Sequence, residues 1–264
     1  MPQTRQISAL DNTNQEQIDN LPQSIVSFGR DLAKDEILPF HRHRRAQLVY
    51  ASRGLMMVKT RSFSYVVPPQ RAVWMPGGVE HSIGARSIVK MRTLYIDPLV
   101  SVDLPSEVCV LEIKPLLREL IVEAVASGFG YEPNSPMSRI MLVILDQIRA
   151  QPVVSSLALP IPSDPRVRRV VQAIIDNPAD SRELADWAKK VGASKRTLVR
   201  LFPEQTGMTF REWRQQRRLL HALELLATGE SVTNIALELG YENTSAFIAM
   251  FRRCLGTTPR RYLQ

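Results

Sequence analysis

Between Val49 and Tyr95 the apolar residues fall in short runs of β-branched and aromatic side chains, broken by Arg53-Gly54, Pro68-Pro69 and Pro76-Gly77-Gly78. Runs this short between turn residues predict strands. Val58-Lys59-Thr60 and Ser62-Phe63-Ser64-Tyr65-Val66 alternate, the period of strands with one face in a core, and an all-β sandwich or barrel follows. From about Leu111 the period changes. Leu116, Leu117, Leu120, Ile121 and Val125 recur at helical spacing, and beyond Gly128-Phe129-Gly130 a second helix is predicted from Met137 to Ala150. That helix is apolar all round from Ile140 to Leu145, so it predicts cover on more than one side. Burial within its own domain and a subunit interface both satisfy this, the interface running through Ile140, Ile144 and Ile148.

Residues 151–165 contain four Pro and neither period, which predicts a linker. It ends in a helix start: Ser163 or Asp164 can cap free backbone N–H groups, and Pro165 suits the first helical position, where its missing N–H has no partner. Helices are predicted at about 166–176, 182–190, 194–205, 209–228, 232–239 and 243–255, with a short last one near 259.

Composition narrows the class. The chain has 264 residues, 44% hydrophobic and 23% charged, with 18 Pro and 12 Gly, which fits a folded protein of two domains and excludes collagen, coiled coil and wholesale disorder. Cys109 and Cys254 stand far apart without CxxC spacing, so no disulfide framework or thiolate zinc site is predicted, and a reducing cytoplasm is the expected setting. The polar amino-terminal stretch and the shortness of every apolar run predict neither export nor a membrane span. The net charge of +8 is uneven: residues 164–264 hold 17 Lys+Arg against 11 Asp+Glu, whereas residues 1–163 hold 17 against 15. A basic helical region is compatible with polyanion binding, although solvated Arg-rich helices give the same count.

Within that region one pattern occurs twice. Ala188 and Gly192, then Leu198 and Phe202, are echoed by Ala236 and Gly240, then Phe247 and Phe251. A small residue near the end of one helix lets a second cross closely, and Gly permits the positive φ of a tight turn between them, the layout of a helix-turn-helix. The predicted helix from Thr209 to Ala227 joins the copies and spans roughly 30 Å, close to the roughly 34 Å between successive major-groove faces. Two reading helices on adjacent turns of one duplex face is the functional reading, and a plain helical bundle is the bland one.

From Ser181 to Tyr262 the chain resembles the DNA-binding domain of the AraC/XylS family of bacterial transcription regulators. The resemblance is carried by the run Ser194 to Phe202, by Thr206-Gly207, Ser231 to Ala236, Gly240-Tyr241, Ser245-Ala246-Phe247 and Phe251-Arg252-Arg253, and by Gly256-Thr257-Thr258-Pro259. On the first reading helix Ser194 suits the N-cap, and Lys195, Arg196, Val199 and Arg200 face outward. Arg196 and Arg200 can each offer two donors to guanine O6 and N7, or clamp phosphate; Lys195 and Thr197 suit phosphate, and Val199 a thymine methyl. The second helix opens with Asn243, Thr244 and Ser245 but continues with Ile248 and Ala249, so fewer base contacts are expected there. Arg252 and Arg253 would position the domain on phosphate, or are ordinary solvated residues.

The stretches His41-Arg42-His43 with Gln47, and Pro76 to His81, resemble the two cupin motifs. In metal-bearing cupins such residues bring three His and a Glu onto one ion; here His41, His43 and His81 match while Gln47 stands in the Glu position and Ala85 in that of the usual Asn. Three readings stay open: a divalent transition metal, an organic effector contacted without metal, or structural His satisfied by neighbours. Arg42, Arg44, Arg45, Glu80, Tyr50 and Trp74 lie near the same pocket in sequence, and His221 reads as an ordinary helix residue.

The resulting expectation is an α+β multidomain chain. It comprises a flexible segment (1–24), a cupin β-barrel with two accessory helices for sensing and dimerisation (25–150), a linker (151–164) and an all-α domain with tandem helix-turn-helix motifs (165–264). The function implied is a ligand-responsive, sequence-specific regulator, not an enzyme, with double-stranded DNA, RNA polymerase, a small-molecule effector and a second copy of itself as partners, and no membrane. The alternative is a metal-dependent cupin oxygenase or isomerase with a basic helical appendage.

Overall fold

The structure is a computed structural model that describes residues 17–128, 130–154 and 157–262. Its contacts divide the chain into two units, Met1–Thr60 with Val67–Ser155, and Arg61–Val66 with Ser156–Gln264.

Among the described residues nine strands precede the first long helix: β1 (Ile25–Leu32), β2 (Ile37–His41), β3 (Ala46–Arg53), β4 (Met56–Lys59), β5 (Phe63–Val67), β6 (Arg71–Met75), β7 (His81–Ala85), β8 (Val89–Ile96) and β9 (Cys109–Glu112). Helices α1 (Pro115–Ala126) and α2 (Pro136–Arg149) follow, then β10 (Val153–Val154). In the first unit an antiparallel sheet runs β1-β8-β3-β6-β9-β10, and β4, β7 and β2 pair side by side. The result is a barrel-like arrangement of antiparallel strands with two accessory helices. Successive strand residues point to opposite faces, so β3 serves two cores. Leu48 and Tyr50 join Trp74 and Leu94 against Leu117, Ile121, Met141 and Ile144 of the helices, while Gln47 turns the other way toward Thr93.

The all-apolar helix is buried on one side only. Ile144 and Ile148 are 0% and 2% exposed within the core of their own unit, and Ile140 is partly buried against it. The proposed interface through these three residues is therefore corrected: core side chains cannot also face a partner. The outward apolar residues of α2 are Leu142 and Val143.

The amino-terminal expectation changes too. Residues 1–16 of the expected flexible segment lie outside the described residues, and 17–24 are held. The Asp19 carboxylate accepts from the backbone N–H groups of Arg44 (2.9 Å) and Arg45 (3.2 Å), and the buried Arg45 guanidinium donates to the carbonyls of Leu21 and Gln23. A buried guanidinium needs acceptors, and this stretch supplies them. Nor is 151–164 free of strands. Val153 and Val154 pair with Leu111 and Val110, and β11 (Ala158–Pro160) pairs with Phe63 to Tyr65. Strands of two or three residues are too short to display a period.

The second unit continues with α3 (Pro165–Asp176), α4 (Leu184–Lys190), α5 (Lys195–Thr206), α6 (Phe210–Ala227), α7 (Val232–Glu238), α8 (Thr244–Leu255) and α9 (Pro259–Tyr262). Asp164 is the cap of α3, accepting from Arg166 N at 2.9 Å. Thr209 and Glu212 form a reciprocal capping box that starts α6. The two helix pairs turn alike. Ala193 N donates to Ala188 O and Tyr241 N to Ala236 O, each at 2.9 Å, across Gly192 (φ 69°) and Gly240 (φ 71°).

These glycines differ in their surroundings. A Cβ on Gly192 would meet open space, whereas one on Gly240 would meet Ala179 O at 3.1 Å. Gly192→Ala is expected to cost about 1–2 kcal/mol, the left-handed backbone penalty alone, and Gly240→Ala measurably more in urea denaturation; equal costs would refute the close approach. Ile144→Ala should cost about 2–5 kcal/mol as a core truncation, without altering the sedimentation of the folded protein.

Candidate nucleic-acid interface and histidine cluster

On α5 the side chains sort by face. Leu198, Leu201 and Phe202 are buried, Phe202 stacking edge-on against Phe210 at 5.3 Å, while Lys195, Arg196, Val199 and Arg200 are exposed. Ser194 Oγ accepts from Thr197 N at 3.0 Å and lies 2.8 Å from Thr197 Oγ1. The cap leaves the remaining amides of this first turn, where the helix dipole is positive, open to an anion. Thr197 is thereby part of the cap and only half exposed. Lys195 and Arg196 enter no ion pair among the described residues. Arg200 does: its Nη1 binds both carboxylate oxygens of Glu204, at 2.8 and 2.7 Å. The sequence reading missed this partner, although a carboxylate four residues on was visible.

On α8, Asn243 Oδ1 caps by accepting from Ala246 N at 2.9 Å, and Phe247, Met250 and Phe251 are buried. Thr244 is half buried. Ser245, Ile248, Ala249, Arg252 and Arg253 line a shallow open groove. The two arginines make no ion pair among the described residues and sit in the last turn, where cations also suit the helix dipole.

Helix α6 spans 18 residues, about 27 Å, and is fixed at several points. Trp213 is buried and donates to Pro160 O at 3.1 Å. Arg218 donates to Pro178 O at 2.9 Å and lies over the Tyr241 ring. His221 bridges Glu224 (3.3 Å) and Glu238 (3.2 Å), a tie between α6 and α7. Much of the basic excess is thus structural: Arg166 and Arg182 pair with Asp164 and Asp180, and Arg182 covers Trp187.

In the barrel unit, His41 and His81 are direct cross-strand partners on β2 and β7. With His43 they place one ligand atom each within 4.8 Å of one another. Gln47 Oε1 lies 2.9 Å from His43 Nε2 and 3.0 Å from His81 Nε2, so all four sequence-selected residues converge. Burial, reinforced by the neighbouring imidazoles, lowers the His81 pKa to about 3 despite its bond to Val79 O, and burial also lowers that of His41. The flanking expectations fare differently. Tyr50 and Trp74 belong to the helix-facing core, because Tyr50 lies three residues beyond Gln47 and so on the opposite strand face. Arg45 is spent on residues 21–24, Arg44 bonds Asp19, and Arg42 is exposed.

The helix-turn-helix domain family matches residues 187–264. The chain is 38% identical over 254 residues to the HTH-type transcriptional regulator NimR of Escherichia coli (strain K12), covering 96% of this chain and 92% of that relative. It is 29% identical over 151 residues to the arabinose operon regulatory protein of Salmonella typhimurium, covering 56% of this chain and 53% of the other. Among solved structures, ToxT from Vibrio cholerae aligns over 91% of this chain and 98% of that one, at 13% identity and a TM-score of 0.38.

The exposed Arg200–Glu204 pair should be worth under about 1 kcal/mol. Glu204→Gln is accordingly expected to leave thermal stability nearly unchanged while tightening DNA binding at low salt, measured by fluorescence anisotropy. Weaker binding would mean that Glu204 orients Arg200 for contact.

Proposed function

The chain belongs to the AraC/XylS family of transcription regulators, and on that footing we propose a division of labour between its two reading helices. It is a sequence-specific DNA-binding regulator and not an enzyme. In our reading α5 identifies bases and α8 fixes position on the backbone. The observation that carries this is the contrast between their exposed faces: α5 offers Arg196, which has no ion-pair partner among the described residues, beside Val199 and Arg200, whereas α8 offers Ser245 and Ala249 with its cations at the far end. Arg196 meets guanine O6 and N7, Arg200 joins when it leaves Glu204, and Val199 touches a thymine methyl. Lys195, the α5 amides, Asn243, Thr244, Ser245, Arg252 and Arg253 hold phosphate.

The barrel unit, residues 25–150, senses a small effector, and the chain works as a homodimer that contacts RNA polymerase in the cytoplasm. The exposed Leu116, Leu142 and Val143 on the two accessory helices support dimerisation there. Residues 165–264 form the DNA-binding domain.

Arg196→Ala should cost about 1–3 kcal/mol on a selected site and relax one base preference, whereas Arg252→Ala should weaken all sequences alike and reduce the salt slope by about one. Competition binding against random DNA across a salt series measures both. Equal weakening of selected and random DNA by Arg196→Ala would reassign that residue to phosphate.

A further inference from the structure

DNA reading leaves the histidine cluster of the barrel unit without a task. Each of its three imidazoles has Nδ1 against a backbone carbonyl: His41 on Pro39 O at 2.8 Å, His43 on Arg45 O at 2.6 Å and His81 on Val79 O at 2.9 Å. A carbonyl only accepts, so each Nδ1 carries the proton and each Nε2 is left as a bare lone pair. The Gln47 amide is set from behind. Its Nε2 donates to Thr93 Oγ1 at 2.9 Å, and that hydroxyl donates to Leu48 O at 2.9 Å. Oε1 therefore confronts the Nε2 atoms of His43 and His81 with no proton between them. His43, Gln47 and His81 are all buried, and no carboxylate belongs to the cluster among the described residues.

Lone pairs facing lone pairs in a buried site are unfavourable without a positive centre. We propose that the cluster is a metal site in which the Nε2 atoms of His41, His43 and His81 and the Oε1 atom of Gln47 hold one divalent transition cation. Imidazole donors select the zinc, nickel, copper and iron class over magnesium or calcium. The Nδ1 bonds to carbonyls are the outer-shell arrangement that orients ligating histidines, and Thr93 plays that part for Gln47. Because every donor is neutral, the cation keeps its full charge in the barrel, unlike one held by a carboxylate.

The test is titration of the full-length, chelator-treated protein with Co2+ alone, followed by visible absorption and then by displacement with Zn2+. Saturation at one equivalent per chain is expected, together with a melting temperature that rises with metal. His41 is the half-exposed member, so His41→Ala should remain folded by thermal melt. It should lose more affinity than the roughly 10- to 100-fold typical of an outer-shell change, and its melting temperature should no longer respond to metal. Gln47→Glu, which adds a carboxylate, should bind more tightly. A turned-over Gln47 amide would place its two N–H groups on His43 and His81 and close the cluster without an ion. Failure of the wild type to take up metal would overturn the proposal and leave that arrangement as the account of the cluster. So would uptake that survives His41→Ala and is lost in His221→Ala, which would place the metal on the surface group with Glu224 and Glu238.

Discussion

Burial of one side of each reading helix is the constraint on which the rest of the regulator depends. A helix surface residue has no orientation of its own; it acquires one when neighbours three and four positions away are held. Leu198, Leu201 and Phe202 hold α5, and Phe247, Met250 and Phe251 hold α8. With those faces committed, Arg196 and Ser245 must point outward. Ala188 and Ala236 and the positive-φ glycines permit this packing because a larger side chain, or a residue restricted to negative φ, would separate each helix pair at its turn. The aromatic series Tyr241, Phe247, Phe251 and Tyr262 continues the clamp toward the end of the second copy, with ring centroids 5.6–5.8 Å apart.

The helical unit was legible because its signals are local. Caps at Asp164, Ser194, Thr209 and Asn243 and glycines past helix ends act within four residues, so a sequence displays them directly. The barrel was less legible because its determinants are distant. Strand β3 is buried along six consecutive residues, having cores on both faces, and thus lacks the alternation that marks a half-buried strand. Helix α2 posed the reverse difficulty: an apolar run has no phase, so nothing local distinguishes Ile144, which is buried, from Leu142, which is 60% exposed. The strand pleat also separates Tyr50 from Gln47, which cannot share a face across an odd interval.

Net charge was the weakest guide to the binding surface, and the structure explains why. Arg217 is buried with Glu224, Arg218 is occupied by carbonyls and a tyrosine ring, and Arg214 covers Phe210. These cations hold helices together, where a guanidinium can satisfy several acceptors at once and stack on an aromatic face. A count of basic residues mixes such groups with those available to a polyanion. What separates them is the partner list: Arg196, Arg252 and Arg253 are exposed without ion pairs among the described residues, and Arg200 is held only by an exposed carboxylate.

The same distinction bears on specificity. Phosphate contacts are worth similar amounts on any sequence, so a surface made only of free cations binds DNA without choosing. Discrimination needs donors fixed before contact, because each unfixed rotor dilutes the difference between a matched and a mismatched base. The cap at Ser194 and the buried row beneath Val199 fix the helix that carries Arg196, and the Glu204 carboxylate restrains Arg200 at small energetic cost. A base offering two acceptors can displace that carboxylate with good geometry, whereas a lone phosphate merely exchanges one anion for another. An intramolecular competitor of this kind lowers affinity wherever Arg200 must leave it, so Arg200 engages where a base returns two good bonds and stays with Glu204 where only a phosphate is on offer.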